Sequence, residues 1–166
     1  MRNGQFAGFR RVSAETDRCL SAATLNGLIS THDECDDGIH LRRELSGKRW
    51  DELSAEVVFD GSVAVPLLEP NALSAFLPAW LIRSTETSDQ EDPIVLEFTL
   101  YSLCPGDEDD GWDEVRIAET VGLFNSGQRH AVADFLRFVV NWAEGHRKGW
   151  DWKRRAEFGL SRWQPK

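Results

Sequence analysis

The sequence predicts an α+β domain that is mainly α-helical, a single compact unit with a small β-hairpin packed on helices. Three observations predict it. The chain has 166 residues, the size of one domain, and 41% of them are apolar. Apolar residues recur at helical spacing in several stretches, most regularly after Asn125. Two β-branched runs flank Asp60-Gly61, a pair that readily supplies the positive φ angles of a type I′ turn.

Residues 1–13 are polar and Gly-containing and are expected to be flexible. The domain proper is expected over 14–145. Its first helix runs from Ala14 to about Ile29, with Ser13 as N-cap and an apolar stripe of Cys19, Leu20, Ala23, Leu25, Leu28 and Ile29. Thr31 to Gly38 breaks that stripe and reads as an acidic loop, and a short helix follows over Ile39–Leu45, closed by Ser46-Gly47. Trp50 to Leu53 reads as a turn or short helix carrying one aromatic anchor. Residues 56–65 form the hairpin, which must pack on helices because an isolated one is marginal in water.

Pro70 suits the first turn of a helix that continues through Ala72, Leu73, Phe76 and Leu77. Pro78 lacks an amide donor and is expected to kink or restart that helix before Trp80. Ser84 to Glu91 reads as a polar loop. Asp92-Pro93 resembles an N-cap followed by a first-turn proline, opening Ile94–Leu103; the alternation of Leu96, Phe98 and Leu100 suits a strand equally. An acidic loop follows Cys104-Pro105-Gly106. Asn125 and Gln128 then have capping-box spacing, ahead of a helix with Ala131, Val132, Phe135, Leu136, Val139 and Trp142 on one face and Gly145 as its stop. Residues 146–166 form a basic, Trp-rich C-terminal tail.

Charge divides along the same boundary. Residues 1–145 carry 12 Lys+Arg against 26 Asp+Glu, a net of −14, while residues 146–166 carry a net of +5. The total of −9 disfavours general nucleic-acid binding or coating of anionic membranes by the body, but not by the tail. No run approaches the length of a membrane-spanning helix, and no secretory leader is expected at the N-terminus. Cys19, Cys35 and Cys104 are odd in number and widely spaced, which reads as reduced thiols in a cytoplasmic protein.

Chemistry-bearing residues are few. His32, Asp33, Glu34, Cys35, Asp36, Asp37 and His40 lie close in sequence, yet without the CxxC or HExxH spacing of a zinc site, so no metal is expected; His32, Cys35 and His40 are the candidates if one binds. Asp107, Glu108, Asp109, Asp110, Asp113 and Glu114 do not fit a calcium loop, because Trp112 falls where glycine is required. Ser126 lies in no nucleophile elbow, His130 has no evident catalytic partner, and no phosphate-binding loop is present. No cofactor and no catalytic residue is expected. The simpler reading is that the positive tail folds back on the acidic body; failing that, Trp150 and Trp152 with Lys153, Arg154 and Arg155 are the residues through which it could touch a base or a lipid surface.

Three stretches, Trp50-Asp51-Glu52-Leu53, Leu68-Glu69-Pro70-Asn71-Ala72-Leu73-Ser74-Ala75-Phe76-Leu77-Pro78-Ala79-Trp80-Leu81, and Leu123-Phe124-Asn125-Ser126-Gly127-Gln128 running into Phe135-Leu136, occur in that order. In this the chain resembles a family of bacterial proteins whose shared domain has no assigned function, over about residues 20–145. Trp80 stands where the family more often has Tyr, and Asn125 where it more often has Thr. The resemblance implies a fold unit and no catalytic residue: Trp50, Phe76, Pro78, Trp80, Phe135 and Leu136 as packing positions, Asn125 and Gln128 as a helix cap.

The leading functional expectation is a non-enzymatic protein-interaction domain, in its concrete form an immunity-type protein. Its acidic loops at Asp33–Asp37 and Asp107–Glu114 would neutralise a basic toxin by charge complementarity. Two alternatives come from other classes: a metal-dependent hydrolase using the His32–Asp37 and His40 cluster, and nucleic-acid or membrane contact through the tail.

Overall fold

A computed structural model describes residues 29–32, 34–107, 111–146 and 149–164. The expected N-terminal segment and most of the first expected helix lie outside these residues. The described chain is mainly α-helical and packs around one core.

Helix α1 spans Asp36–Leu45, beginning three residues before the sequence signal. Cys35 is its N-cap, the Sγ accepting from the Gly38 amide at 3.2 Å. Asp36 and Asp37 occupy the first turn and Arg42 and Arg43 the last, each favourable to the helix dipole. A 3-10 turn at Trp50–Glu52 follows.

The hairpin expected at 56–65 does not form. Helix α2 runs over Ala55–Asp60, capped by Ser54, and a 3-10 helix covers Ser62–Leu67. Gly61 between them has φ −78°, so the turn pair never adopts the left-handed geometry of a type I′ turn. Tertiary contacts explain the outcome. The Val58 carbonyl accepts from Ser62 Oγ at 2.7 Å and from Trp80 Nε1 at 3.1 Å, which ties this segment to the next helix. β-propensity spans only about 1 kcal/mol and yields readily to such packing.

That next helix, α3 (Pro70–Glu86), is the centre of the molecule. Pro70 sits in its first turn as expected, but Pro78 neither stops nor restarts it: the helix is continuous through the proline. Ten of its residues are buried, Phe76, Leu77 and Trp80 completely. A helix buried on nearly every side holds its course by packing, which offsets the one amide donor that Pro78 removes.

Residues 94–103 form helix α4, with Pro93 at the N-cap rather than inside the first turn. Its alternation of apolar residues reflects burial on several sides: Val95, Leu96 and Leu100 are all fully buried. Ser84 of α3 donates to Thr99 of α4 at 3.0 Å, and Thr99 donates to the Val95 carbonyl at 2.6 Å, so the polar atoms at this crossing are satisfied. Two short strands, β1 (Gly106–Asp107) and β2 (Gly111–Trp112), then pair antiparallel.

Helix α5 (Glu114–Gly122) was not anticipated by the sequence reading. Its N-cap is Asp113, which accepts from the Arg116 amide at 2.9 Å. Arg116 Nη2 in turn donates to the carbonyls of Pro66 and Leu68, each at 2.7 Å, securing the end of the 3-10 helix. Helix α6 (Ser126–Ala143) carries the reciprocal cap read from the sequence: the Gln128 amide donates to Asn125 at 2.9 Å and the Asn125 amide to Gln128 at 2.8 Å. Phe135 and Leu136 on its inner face are fully buried.

The C-terminal segment is helix α7 (Gly149–Trp163), packed along α6 and against α4. It belongs to the same core. Trp152 and Trp163 are 3% and 0% exposed. Trp163 Nε1 donates to the Leu103 carbonyl at 3.0 Å, and its ring meets Phe124 edge-on at 5.0 Å. Gly159 lies against Cys104 and Leu136 so closely that a Cβ there would overlap the Cys104 sulfur.

Candidate functional site

The acidic residues singled out from the sequence separate into three groups. Glu34, Asp36 and Asp37 are exposed at the start of α1. Asp33 and Glu108–Asp110 lie outside the described residues, and Asp107 contributes backbone to β1. Asp113 and Glu114 are already engaged inside the molecule, the first as the cap of α5. Glu114 meets Arg162 through two bonds, 2.9 Å from Nε and 2.6 Å from Nη2, and that guanidinium holds its carboxyl below the usual carboxylate range. Glu144 and Lys153 form a second link between α7 and the rest of the chain, at 2.9 Å. The positive segment thus meets part of the body's negative charge within the molecule.

The residues expected to make outside contacts from the tail are placed differently from one another. Trp152 stacks on Trp142 at 5.4 Å, and Trp142 stacks on His146 at 3.7 Å. Arg155 is 8% exposed, lies 4.3 Å from the Tyr101 ring centre, and donates through Nη1 to the carbonyls of Cys104 (2.6 Å) and Gly106. Arg154 faces Asp151 at 3.4 Å. Trp152 and Arg155 are therefore core components and do not present themselves to a base or a lipid. For Trp150 only the backbone, within α7, is described.

Among the described residues, no three His, Cys, Asp or Glu side chains gather to hold a metal. Cys35 is occupied as a helix cap, and His40 Nδ1 lies 3.1 Å from Arg43. Cys104 is a free thiol in the core, and burial pushes its pKa up to about 12. The folded chain then keeps a proton that the unfolded chain, with a thiol near 9.0, loses. Fewer protons on the unfolded state mean that stability falls as pH rises, by up to about 1.4 kcal/mol per pH unit between roughly 9 and 12. Tyr101, raised chiefly by desolvation and next by Glu97, acts in the same direction. Urea midpoints at neutral pH and near pH ~10.5 are expected to fall further for the native sequence than for Cys104→Ala. Equal losses would assign the alkaline sensitivity to other groups.

An open groove of about 220 Å³ lies between the 3-10 turn at Trp50–Glu52, α2 and α3. Trp50, Asp51, Val58, Ile82, Arg83 and Glu86 are among its lining residues. The capping arrangement at Arg49 positions the turn: Glu52 accepts from the Arg49 amide at 2.7 Å, and Asp51 takes two bonds from the Arg49 guanidinium at 3.0 and 2.9 Å. On the facing wall Arg83 reaches Glu86 at 3.4 Å. Trp50 Nε1 and Arg83 Nε are buried without a hydrogen-bond partner, a condition that costs about 1–3 kcal/mol per group.

Of these residues sequence reasoning singled out only Trp50 by itself, as a packing anchor, and Asp51 appeared only within the resemblance motif. A signal was available. Segments 49–60 and 83–92, which line the groove and continue from it, hold eight carboxylates against Arg49 and Arg83. That density is lower than in either acidic loop, and its only adjacent acids are the pairs Asp51-Glu52 and Glu91-Asp92, so no long run draws the eye to it. Comparison with protein-family models, with curated proteins and with solved structures gave no match.

Proposed function

We propose that this chain is a non-enzymatic interaction domain that holds a basic protein partner, with immunity-type neutralisation of a basic toxin as its concrete form. The observation that carries the reading is the exposed negative surface left after α7 has docked. Glu34, Asp36 and Asp37 at α1, and Glu52, Glu56, Glu86 and Glu91 around and beyond the groove, all face solvent. Such a surface speeds encounter with a positive partner and rejects acidic ones. Asp36, Asp37, Glu56 and Glu86 stand on helices that share one core, which gives that part of the surface a rigid frame. The proposal includes the bacterial family suggested by the sequence motifs and a reducing cytoplasmic setting, the latter supported by the free thiols of Cys35 and Cys104. Among the described helices none is long and apolar enough to cross a membrane. Among the described residues the metal-hydrolase alternative has no gathered ligand set behind it, and two of the residues named for tail contact, Trp152 and Arg155, are inside the core.

The test is co-expression with a basic protein encoded beside this one, followed by calorimetry on the purified pair. The expected result is relief of that protein's toxicity and a complex that weakens at least tenfold between ~50 and ~500 mM salt, as screening removes long-range attraction. A complex indifferent to salt, or none with any basic neighbour, would overturn the reading.

A further inference from the structure

We propose that the outer face of residues 56–63 is the docking surface for a basic amphipathic helix of the partner. This deepens the reading above and rests on it. Helix α2 and the 3-10 helix after it follow one nearly continuous helical path, because Gly61 between them keeps right-handed helical torsions, φ −78° and ψ −4°. Glu56, Phe59, Asp60 and Val63 fall at i, i+3, i+4 and i+7 along that path, the spacing of one helix face. All four are exposed, while Val58, Gly61, Ser62, Ala64 and Val65 on the other side are buried.

Apolar exposure is the first argument. Phe59 is 44% and Val63 41% exposed, and their spacing makes them neighbours. One exposed apolar residue is ordinary, but two aligned on a helix face are the anchors by which one helix recognises another.

Charge selects the sign of the partner. From Trp50 to Glu69 the chain holds Asp51, Glu52, Glu56, Asp60 and Glu69 and no lysine or arginine. Glu56 and Asp60 alternate with the apolar pair, and among the described residues neither forms an ion pair. Helix α1 adds a carboxylate at the edge. A Cβ on Gly61 would stand 3.6 Å from Leu41, and Asp37, one turn before Leu41, is exposed. Guanidiniums of the adjoining elements are turned elsewhere: Arg43 to Glu44, Arg49 to Asp51, and Arg116 to the carbonyls of Pro66 and Leu68. An acidic or neutral helix would cover these carboxylates without a counter-charge, whereas lysines or arginines flanking two apolar residues meet them.

Rigidity is the third argument. The Val58 carbonyl, bonded by Ser62 and Trp80, holds the face from beneath, and Arg116 holds the end of the 3-10 helix. The surface is in place before a partner arrives, so docking orders little backbone.

The probe is a capped helical peptide of about 15 residues, made of lysine, alanine and leucine with the leucines on one face, titrated calorimetrically into the full chain. Its controls are the same peptide with glutamate for lysine, and a lysine peptide of equal charge with its leucines scattered. The basic amphipathic peptide is expected to bind saturably and about tenfold tighter than either control. Phe59→Ser is expected to weaken binding about tenfold, Val63→Ser about threefold, and Glu56→Gln with Asp60→Asn about fivefold. Val115→Ser and Glu119→Gln, at exposed positions of α5, are expected to leave it unchanged. Circular dichroism and melting of each variant keep loss of fold distinct from loss of binding. No binding, or equal weakening by the α5 variants, would overturn the face as a docking surface. So would a dimer that Val63→Ser dissociates, which would give the face to a second copy. In the free chain, a Phe59 ring resonance that moves in Arg10→Ala with Arg11→Ala would give it to residues 1–13 of the same chain and overturn the proposal equally.

The partner complex separates the two proposals. If a salt-sensitive complex with the basic neighbour survives Phe59→Ser with Val63→Ser but is lost in Glu34→Gln with Asp36→Asn, the face assignment fails and the interaction reading stands. If the peptide docks on the face but no basic neighbour binds, the face assignment stands and that reading fails.

Discussion

A chain ending at Gly145 is expected not to fold cooperatively. The charge boundary at residues 145/146 suggests a detachable tail, but α7 contributes Trp152, Ala156 and Trp163 to the core, the last two wholly buried. Losing a buried tryptophan costs about 3–5 kcal/mol, so two of them approach the 5–15 kcal/mol that stabilises a typical domain. The truncation also uncovers Phe124, Leu136 and Leu103, whose contacts lie along α7. The check is thermal or urea unfolding followed by circular dichroism. A truncated chain that melts cooperatively near the native temperature would show that residues 1–145 fold without α7. A milder perturbation of the same interface is Gly159→Ala, which places a methyl group on the Cys104 sulfur and 3.1 Å from Leu136. It is expected to cost about 1–3 kcal/mol through overpacking, although alanine favours a helix more than glycine does. Stabilisation by this change would mean that α7 lies farther from α4 than described.

Arg155→Ala is expected to have the next largest effect. Arg155 is a buried cation held by two backbone carbonyls and by the faces of Tyr101 and Trp112, at 4.3 and 5.1 Å. No carboxylate is described against it. Its removal leaves the carbonyls of Cys104 and Gly106 without this donor and opens a gap between α4, α7 and the paired strands. Hydrogen bonds to a charged group contribute about 1.5–3 kcal/mol, and a desolvated cation–π contact up to about 2 kcal/mol. A loss of roughly 3–5 kcal/mol, about 10 °C in melting temperature, is the expected result. Arg155→Lys keeps the charge but not the planar fork, and is expected to recover less than half of the loss. Melting of Arg155→Ala within ~1 °C of the native sequence would show that this side chain carries no structural load.

Both predictions concern residues whose sequence context points outward. Trp152, Lys153, Arg154 and Arg155 read as a solvated aromatic and basic strip, yet successive residues on a helix face different directions, so Trp152 and Arg155 turn inward while Lys153 reaches Glu144. Composition cannot separate them; helical phase against α6 does. The groove was illegible for a related reason. Trp50 and Asp51 are about thirty residues from Arg83 and Glu86 in the chain, and only the packing of the 3-10 turn on α3 makes them neighbours.

What the sequence determined by itself is local. The Asn125–Gln128 cap, the first-turn Pro70, the aromatic helix around Phe76 and Trp80, and the mainly helical class all follow from spacing within one or two turns, where cause and effect share the same few residues. Tertiary structure alone decided the rest. Residues 56–65 became helix because Ser62 and Trp80 bond the Val58 carbonyl, and Pro78 stayed within α3 because the helix is enclosed. Residues 94–103 settled as helix because they are buried on several sides, and the basic tail became core because two tryptophans found apolar surroundings. In each of these cases the energy comes from partners distant in the chain, and it exceeds the fraction of a kilocalorie by which local preference chooses between helix and strand.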